Sequence, residues 1–427
     1  MRQELSRQCR AVKEEPAIPG GTMATMDHVL TGIRVLDLTR ALAGPSCTRM
    51  LGEMGAEVVK VEPAPRGDFV RLISKLRNDR SLYYIQQNLG KKSVCVNLRD
   101  PRGLALVTAL VPKVDVVVEN FKPGTLDAMG LSYDRLREHR SDIIVCSISA
   151  LGQRGPLAQL PGYDFIAQAY SGVTSMIGEP GGTPYIPLAA VGDVNTGVHG
   201  ALAILAALRH RDRTGRGQHL DVGLLDVYYH CHEVSVHQHS GSNGQIKPTR
   251  QGPHLSYIAP AGVFKANGGW IVIMAFLHHW KDLCAAMERP DLVTDAQFAT
   301  DTARLANRAE MIDLIEKWLA TFPDRDSAVA KLQKMKVPAA PVLSIEETVK
   351  HPHLRARGTV RTVEDRIAGK FDIPGMPLKF SEFPEDLPLQ AATLGQHNRE
   401  VLHDLLGRSD EEIRALREAN VLVEGEC

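Results

Sequence analysis

The chain has 427 residues, with 50 Lys and Arg against 50 Asp and Glu, so its formal net charge is zero. Its residues are 44% hydrophobic, 23% charged and 5% aromatic. Those proportions exclude a disordered chain, a general electrostatic grip on nucleic acid or anionic membrane, and an aromatic platform for single strands.

The length fits two or three domains of roughly 100–200 residues each. Cys9, Cys47, Cys95, Cys146, Cys231, Cys284 and Cys427 show no CxxC spacing. Neither a disulfide framework nor a thiolate metal site is expected, and reduced thiols in a cytoplasmic setting are. No apolar run reaches the roughly 18 residues needed to span a bilayer. The longest, Val198 to Leu208, contains His199. Residues 1–27 mix Arg2, Arg7 and Arg10 with Glu4, Glu14 and Glu15 and lack the apolar centre of a secretory signal. They are read as an N-terminal extension, with organellar import left open.

In chain order, Gly32 to Thr39 (GIRVLDLT) predicts a buried strand, and Cys47 to Gly55 a helix closed by glycine. Strands follow at Glu57–Val61, Ser93–Leu98, Val114–Val118 and Ile143–Ile148. Asp100-Pro101 starts a helix after Ser93–Leu98, with Asp as N-cap and Pro in the first turn. Strands alternating with helices predict an α/β domain with a parallel sheet. The continuous apolar runs at 114–118 and 143–148 predict strands covered on both faces.

From Val194 the pattern is helical to about His210 and stops at Arg213-Thr-Gly-Arg-Gly217. Ser240 to Pro253 reads as a loop, and Val263 to Ala275 as a hairpin turning at Asn267-Gly268-Gly269. Helical patterns cover Trp280–Met287, Arg308–Thr321 and Ser327–Met335. The organisation expected is an extension (1–27), a large domain (28–239), a smaller inserted α+β domain (240–340), and a returning segment (341–427) that completes the large domain.

The chain has no GxGxxG after the first strand, no Walker loop, no HExxH and no GxSxG. Its first turn, Arg40-Ala-Leu-Ala-Gly-Pro45, brings backbone amides to a helix N-terminus, where a phosphate can sit. Lys91 and Lys92 open one strand, and Arg99 follows it. Asn120 follows the strand Val114–Val118 directly, where ligands of open α/β sheets collect.

His230, His232, His237 and His239 lack a metal-binding spacing and are read as surface residues; no metal is expected. Asp164 and Asp193 each precede a helical pattern and fit either N-caps or chemistry. Glu179, in Gly178-Glu-Pro-Gly-Gly182, fits either a solvated turn or a nucleophilic carboxylate.

The order of these segments resembles the class III CoA-transferases, the family that includes formyl-CoA transferase and the α-methylacyl-CoA racemases. The resemblance is carried by GIRVLDLTRALAGPSCTRMLGEMGAEVVKVEP (32–63), NLGKKSVCVNLRDPRG (88–103), VVVENFKPGTLDAMGL (116–131), PGYDFIAQAYSG (161–172) and RTGRGQHLDVGLLD (213–226). VPAAPVLSIEE (337–347) and LGQH (394–397) extend it, so it covers about residues 30–400. It implies a Rossmann-like large domain, a small domain and two interlocked chains. Coenzyme A is then part of the substrate, with no tightly bound cofactor.

By the matching motifs, Ala41 and Leu42 would approach the adenine and pantetheine. Val96, Arg99 and Asn120 would add contacts, and Lys91 and Lys92 charge near the phosphates. In the transferases the nucleophilic aspartate stands in a loop like GEPDGPP, and that position here is Gly181. Glu179, Asp193 and Asp164 are therefore the carboxylates considered for catalysis. Racemases of the family pair an Asp with a His, which is Tyr163 here.

The reading that follows is a CoA-transferase moving CoA from an acyl-CoA to a small carboxylic acid. Anhydride and thioester intermediates on the enzyme are expected, in a homodimer or a heterodimer. An acyl-CoA racemase and a non-catalytic CoA-binding subunit are the alternatives.

Overall fold

The computed structural model describes residues 27–276, 278–385 and 387–425. Residues 1–26, and with them nearly all of the expected extension, lie outside the described residues. The chain forms two compact units. One holds residues up to 171 with 188–231 and 355 onward; the other holds 172–187 and 232–354.

The first unit is built on six parallel strands: β1 (Arg34–Asp37), β2 (Glu57–Pro63), β3 (Lys91–Val96), β4 (Val116–Glu119), β5 (Ile144–Ser149) and β6 (His219–Gly223). In space they run β3-β2-β1-β4-β5-β6. This is the doubly wound Rossmann order, reversing direction between β1 and β4. Its helices include α1 (Ala43–Glu53), α2 (Leu82–Asn88), α3 (Pro101–Leu110), α4 (Asp164–Tyr170), α5 (Val191–Thr214) and α6 (Leu224–His230).

The two faces of the sheet differ because strand residues alternate. Leu36, Val59, Val61, Val94, Val117 and Val145 point to one face and join α3 in a continuous apolar core. On β2 the intervening Lys60 and Glu62 point the other way and are fully buried. The returning segment closes the β3 edge. Val423 donates its N–H to the Cys95 carbonyl (3.1 Å), and Asn398 accepts from the Cys95 N–H (2.9 Å). Pairing an edge in this way removes an aggregation template.

The α5 helix is longer than the pattern at 194–210 predicts, because its first turn is capped from outside the segment. It ends at Gly215, whose φ of 67° suits the left-handed C-cap that the glycine-rich turn predicts. A Cβ at Gly197 would stand 2.9 Å from both the Ala43 carbonyl and the Cys47 N–H, so glycine is what lets α5 lie against α1. Among the described residues α5 is the one helix long and apolar enough, by length and composition, to cross a membrane. Here one of its faces is buried.

The second unit contains a three-stranded antiparallel sheet of Ala261–Ala266, Gly269–Met274 and Ala339–Pro341. The predicted hairpin turns at Asn267-Gly268, with Gly268 at φ 78°. Helices His279–Ala286, Arg308–Leu319 and Arg325–Lys334 cover its core of Phe264, Ile271, Leu283, Ile315 and Leu332.

Candidate active site

Open α/β sheets hold ligands in a crevice beyond the carboxyl ends of the strands where the order reverses, here between β1 and β4. Two loops meet there. Asn120 joins them: its side-chain oxygen accepts from the Arg40 N–H (2.8 Å), and its amide donates to the Arg40 carbonyl (2.8 Å). The Arg40 guanidinium stands over the Phe121 ring, 5.0 Å from its centre, and forms no ion pair among the described residues. Ala41 adopts φ 64°, a strained value for a residue with a side chain. Its N–H donates to Asp68 (3.3 Å), which anchors the turn. Leu42 is buried where α1 begins.

Asp164 and Asp193 come together at the N-terminus of α5. Asp164, in the first turn of α4, is 6% exposed. One of its oxygens, Oδ2, accepts from the Asp193 N–H (3.1 Å). It thereby caps a helix whose own N-cap, Ala190, supplies no side-chain bond. Oδ1 accepts from the Tyr228 hydroxyl. That hydroxyl in turn accepts from the Gly192 N–H (3.0 Å) and the Gln168 side-chain amide (3.2 Å). A Cβ at Gly192 would lie 2.2 Å from the Tyr228 ring and 2.5 Å from Asp164 Oδ1, so the cradle requires glycine.

The Asp193 carboxyl accepts no hydrogen bond among the described residues. Burial first, and then the charge on Asp164, push it up to about 7.

The acid pair borders the crevice. Asp193 lies one helical turn before Gly197 on the same face of α5, and Gly197 packs on the start of α1. Asp193 therefore stands past the end of α1, beside the Arg40–Leu42 turn. Tyr83 of α2 supports this placement. Burial and the charges of Asp193 and Asp68 together push its phenol up to about 12.

Lys91 requires a correction to the expected role. Its ammonium is buried and bonds Asp37 (3.2 Å), the Asn88 side chain (3.0 Å) and the Pro45 carbonyl (3.0 Å). All three donors are used, which leaves none for a phosphate. Burial lowers it to about 8 against the pull of Asp37. Lys92 pairs with Glu57 (2.7 Å) and Glu400 (2.8 Å) at the amino end of β3. Val96 is a core residue packed beside α3, whose Gly103 approaches it closely. Arg99, in the turn after β3, is exposed, and its guanidinium has no partner among the described residues.

Glu179 belongs to the second unit. It starts a turn closed by the Gly182 N–H on its carbonyl (3.0 Å), and Arg250 donates to that same carbonyl (3.3 Å). Its carboxylate is exposed and accepts no hydrogen bond among the described residues. Gly181 sits at φ 72°, which glycine tolerates best.

Sequence reasoning missed the polar floor beneath the crevice. Lys60 bonds Asp68 (3.2 Å) and the Thr39 carbonyl (2.8 Å), and Asp37 accepts from Thr48 (2.7 Å). Glu62 receives Arg71 through two bonds of 2.7 Å and Ser93 at 2.6 Å. Burial works to raise Glu62, and Arg71 overrides it, holding the carboxyl down at about 2. The available signal was the alternation in Glu57–Pro63: a β-strand with charges on its inner face needs buried partners. Tyr228 carried no comparable signal.

The strand order places the chain among the doubly wound α/β proteins, with the acid pair on the side where such sheets hold ligands. The family model for CoA-transferase family III matches residues 30–398, and the chain belongs to that family. It is 36% identical over 413 residues to a formyl-CoA:oxalate CoA-transferase of Streptomyces avermitilis, covering 93% of this chain and 100% of that one. It is 34% identical over 419 residues to the enzyme of the same name from Escherichia coli O157:H7, with 93% and 100% coverage. A solved CaiB/BaiF family protein from Brucella suis superposes with a TM-score of 0.79 at 32% identity, covering 88% of this chain and 99% of that one. The chain is thus a class III CoA-transferase.

Proposed function

We propose that the chain moves CoA from an acyl-CoA donor to a free carboxylic acid, with Asp164 as the attacking carboxylate. One observation carries this reading: the two acids at the start of α5 occupy opposite environments. Asp164 accepts from two donors, whereas the Asp193 carboxyl accepts from none among the described residues and is pushed up to about 7 by burial and the neighbouring acid. Neighbouring acids driven apart in this way take different roles. The one held by hydrogen bonds is the nucleophile. The other, when protonated, keeps further negative charge away as a thiolate departs.

In this scheme Asp164 attacks the thioester carbonyl, the C–S bond breaks, and an enzyme acyl anhydride forms with free CoA thiolate. The thiolate attacks the aspartyl carbon, releases the donor acid, and leaves an enzyme thioester. The acceptor carboxylate then reverses both steps. No thioester is hydrolysed, so its free energy passes to the product. Ala41, Leu42, Asn120 and Arg40 line the crevice where CoA would lie, and Arg99 offers a free cation at the carboxyl end of β3.

The names of the relatives make formyl-CoA and oxalate the first donor and acceptor to try. Hydroxylamine or borohydride trapping followed by peptide mapping is expected to place the adduct on Asp164. An adduct on Glu179 or Asp193 overturns the residue, and no adduct with no acceptor-dependent exchange overturns the reaction. Solvent deuterium at the α-carbon of a branched acyl-CoA supports the racemase instead.

We also propose that a second copy of the chain covers the outer stripe of α5. Val191, Val194, Val198 and Leu202 recur there at helical spacing and are exposed, Leu202 at 62%. A light-scattering mass of one chain at micromolar concentration counts against it.

A further inference from the structure

Resting on the assignment of Asp164 as nucleophile, we propose that Tyr228 makes the two Asp164 oxygens chemically inequivalent: Oδ2 attacks and is exchanged, while Oδ1 is retained and held as the oxyanion.

Tyr228 is buried on α6, and its hydroxyl has one hydrogen to give. Two of its neighbours, the Gly192 N–H and the Gln168 amide, can only donate to it. The hydroxyl hydrogen is therefore directed to Asp164 Oδ1 alone. Among the described residues Oδ2 accepts only from the Asp193 backbone N–H, at 3.1 Å. The carboxylate is gripped at one oxygen and available at the other. Burial and the bond to Asp164 raise the Tyr228 phenol, so it keeps its proton throughout.

The atoms can be followed through a turnover. Oδ2 forms a bond to the acyl carbon, the C–S bond breaks, and CoA thiolate leaves with the electron pair. The thiolate then bonds the aspartyl carbon, and negative charge gathers on Oδ1, where the Tyr228 hydroxyl meets it. The carbon–Oδ2 bond breaks, and Oδ2 departs with the donor acid. The acceptor supplies the replacement oxygen when it attacks the enzyme thioester. Each turnover renews Oδ2 and leaves Oδ1 in place, with no net proton transfer and no redox change.

The test uses the full chain turning over formyl-CoA and oxalate labelled with oxygen-18 at every oxygen, followed by mass analysis of the Asp164 peptide. One heavy oxygen, and no more after many turnovers, is the expected result. In Tyr228→Phe the carboxylate is free to rotate, so a second heavy oxygen is expected. Formation of the enzyme thioester should slow by roughly a hundredfold, the scale of losing one oxyanion donor. Tyr228→3,5-difluorotyrosine keeps the shape with a stronger donor; it should retain single labelling and form the thioester several times faster.

Two heavy oxygens in the unaltered chain overturn the proposal. So does single labelling in Tyr228→Phe with an unchanged thioester rate, or a fluorotyrosine rate equal to that of tyrosine. A heavy oxygen on another carboxylate, with none on Asp164, overturns the nucleophile assignment and this inference together.

Discussion

Two acidic segments of the molecule look interchangeable in one dimension and differ completely in three. Asp164 and Asp193 are joined at a helix N-terminus, where the carboxyl of one accepts two hydrogen bonds and that of the other accepts none among the described residues. Glu179 lies in a glycine-rich turn held, among the described residues, through its backbone alone, with its carboxylate exposed. A glycine-rich loop offers a mobile carboxylate, but orientation is where a nucleophile gains most, and of the two segments the first supplies it. The comparison teaches that an acid's neighbours decide its chemistry, not its local sequence.

The contrast breaks most visibly at Asp164. Asp164→Ala should lower kcat by a factor on the order of 10⁴–10⁶, the scale of deleting a nucleophile, with little change in KM for acyl-CoA. It should also cost about 1 kcal/mol of stability through the lost cap, read from chemical denaturation. A variant that retains ordinary turnover reverses the ranking of the two segments.

Gly192→Ala tests the cradle without replacing an ionisable group. The new methyl would collide with both Tyr228 and Asp164. Displacing the carboxylate by about an ångström should reduce kcat roughly a hundredfold. Steady-state kinetics on a variant shown to be folded by circular dichroism checks this.

Asp193 sharpens the comparison through pH. Its folded value of about 7 lies above the ordinary 3.8, so the folded state binds the extra proton between those values. The stability this brings is complete below about 4 and is lost as pH rises through about 7. Asp193→Asn stays neutral. Its Tm should match the parent near pH 4, exceed it progressively toward pH 7, and hold a constant lead above that. Thermal melts across pH 4–9 measure the difference, and a gap that shrinks with rising pH contradicts the assignment. The same variant should lose any alkaline decline in kcat centred near 7.

Glu179→Gln should do least, with kcat and KM within about twofold and Tm unchanged, as for a surface substitution. A loss of two orders of magnitude in kcat would return the nucleophile to the glycine-rich turn.

The α/β class, the first five strands, the helix after Asp100-Pro101 and the hairpin at Asn267-Gly268 were legible in the sequence. Their signals are local: alternation, caps and turn residues act over a few positions. The bounds moved by a few residues, and β6 was not recognised as a strand because only its last two residues are buried. Asp164, Asp193 and Asn120 were legible as candidates, though not as partners. Lys91 was misread because a cation in sequence looks the same whether solvent or Asp37 surrounds it.

What the sequence determined by itself was therefore the alphabet of elements, the order in which they come, and a zero net charge that excluded long polyanions. Only the tertiary structure decided which charges are structural. Lys60, Lys91, Asp37 and Glu62 are buried and paired beneath the crevice, while Arg40 and Arg99 are left without ion-pair partners among the described residues. It alone brought Tyr228, Gly192 and the two aspartates together across more than sixty positions of chain. The reason is physical: helix and strand preferences depend on neighbours in sequence, whereas burial, pairing and proton affinity depend on neighbours in space.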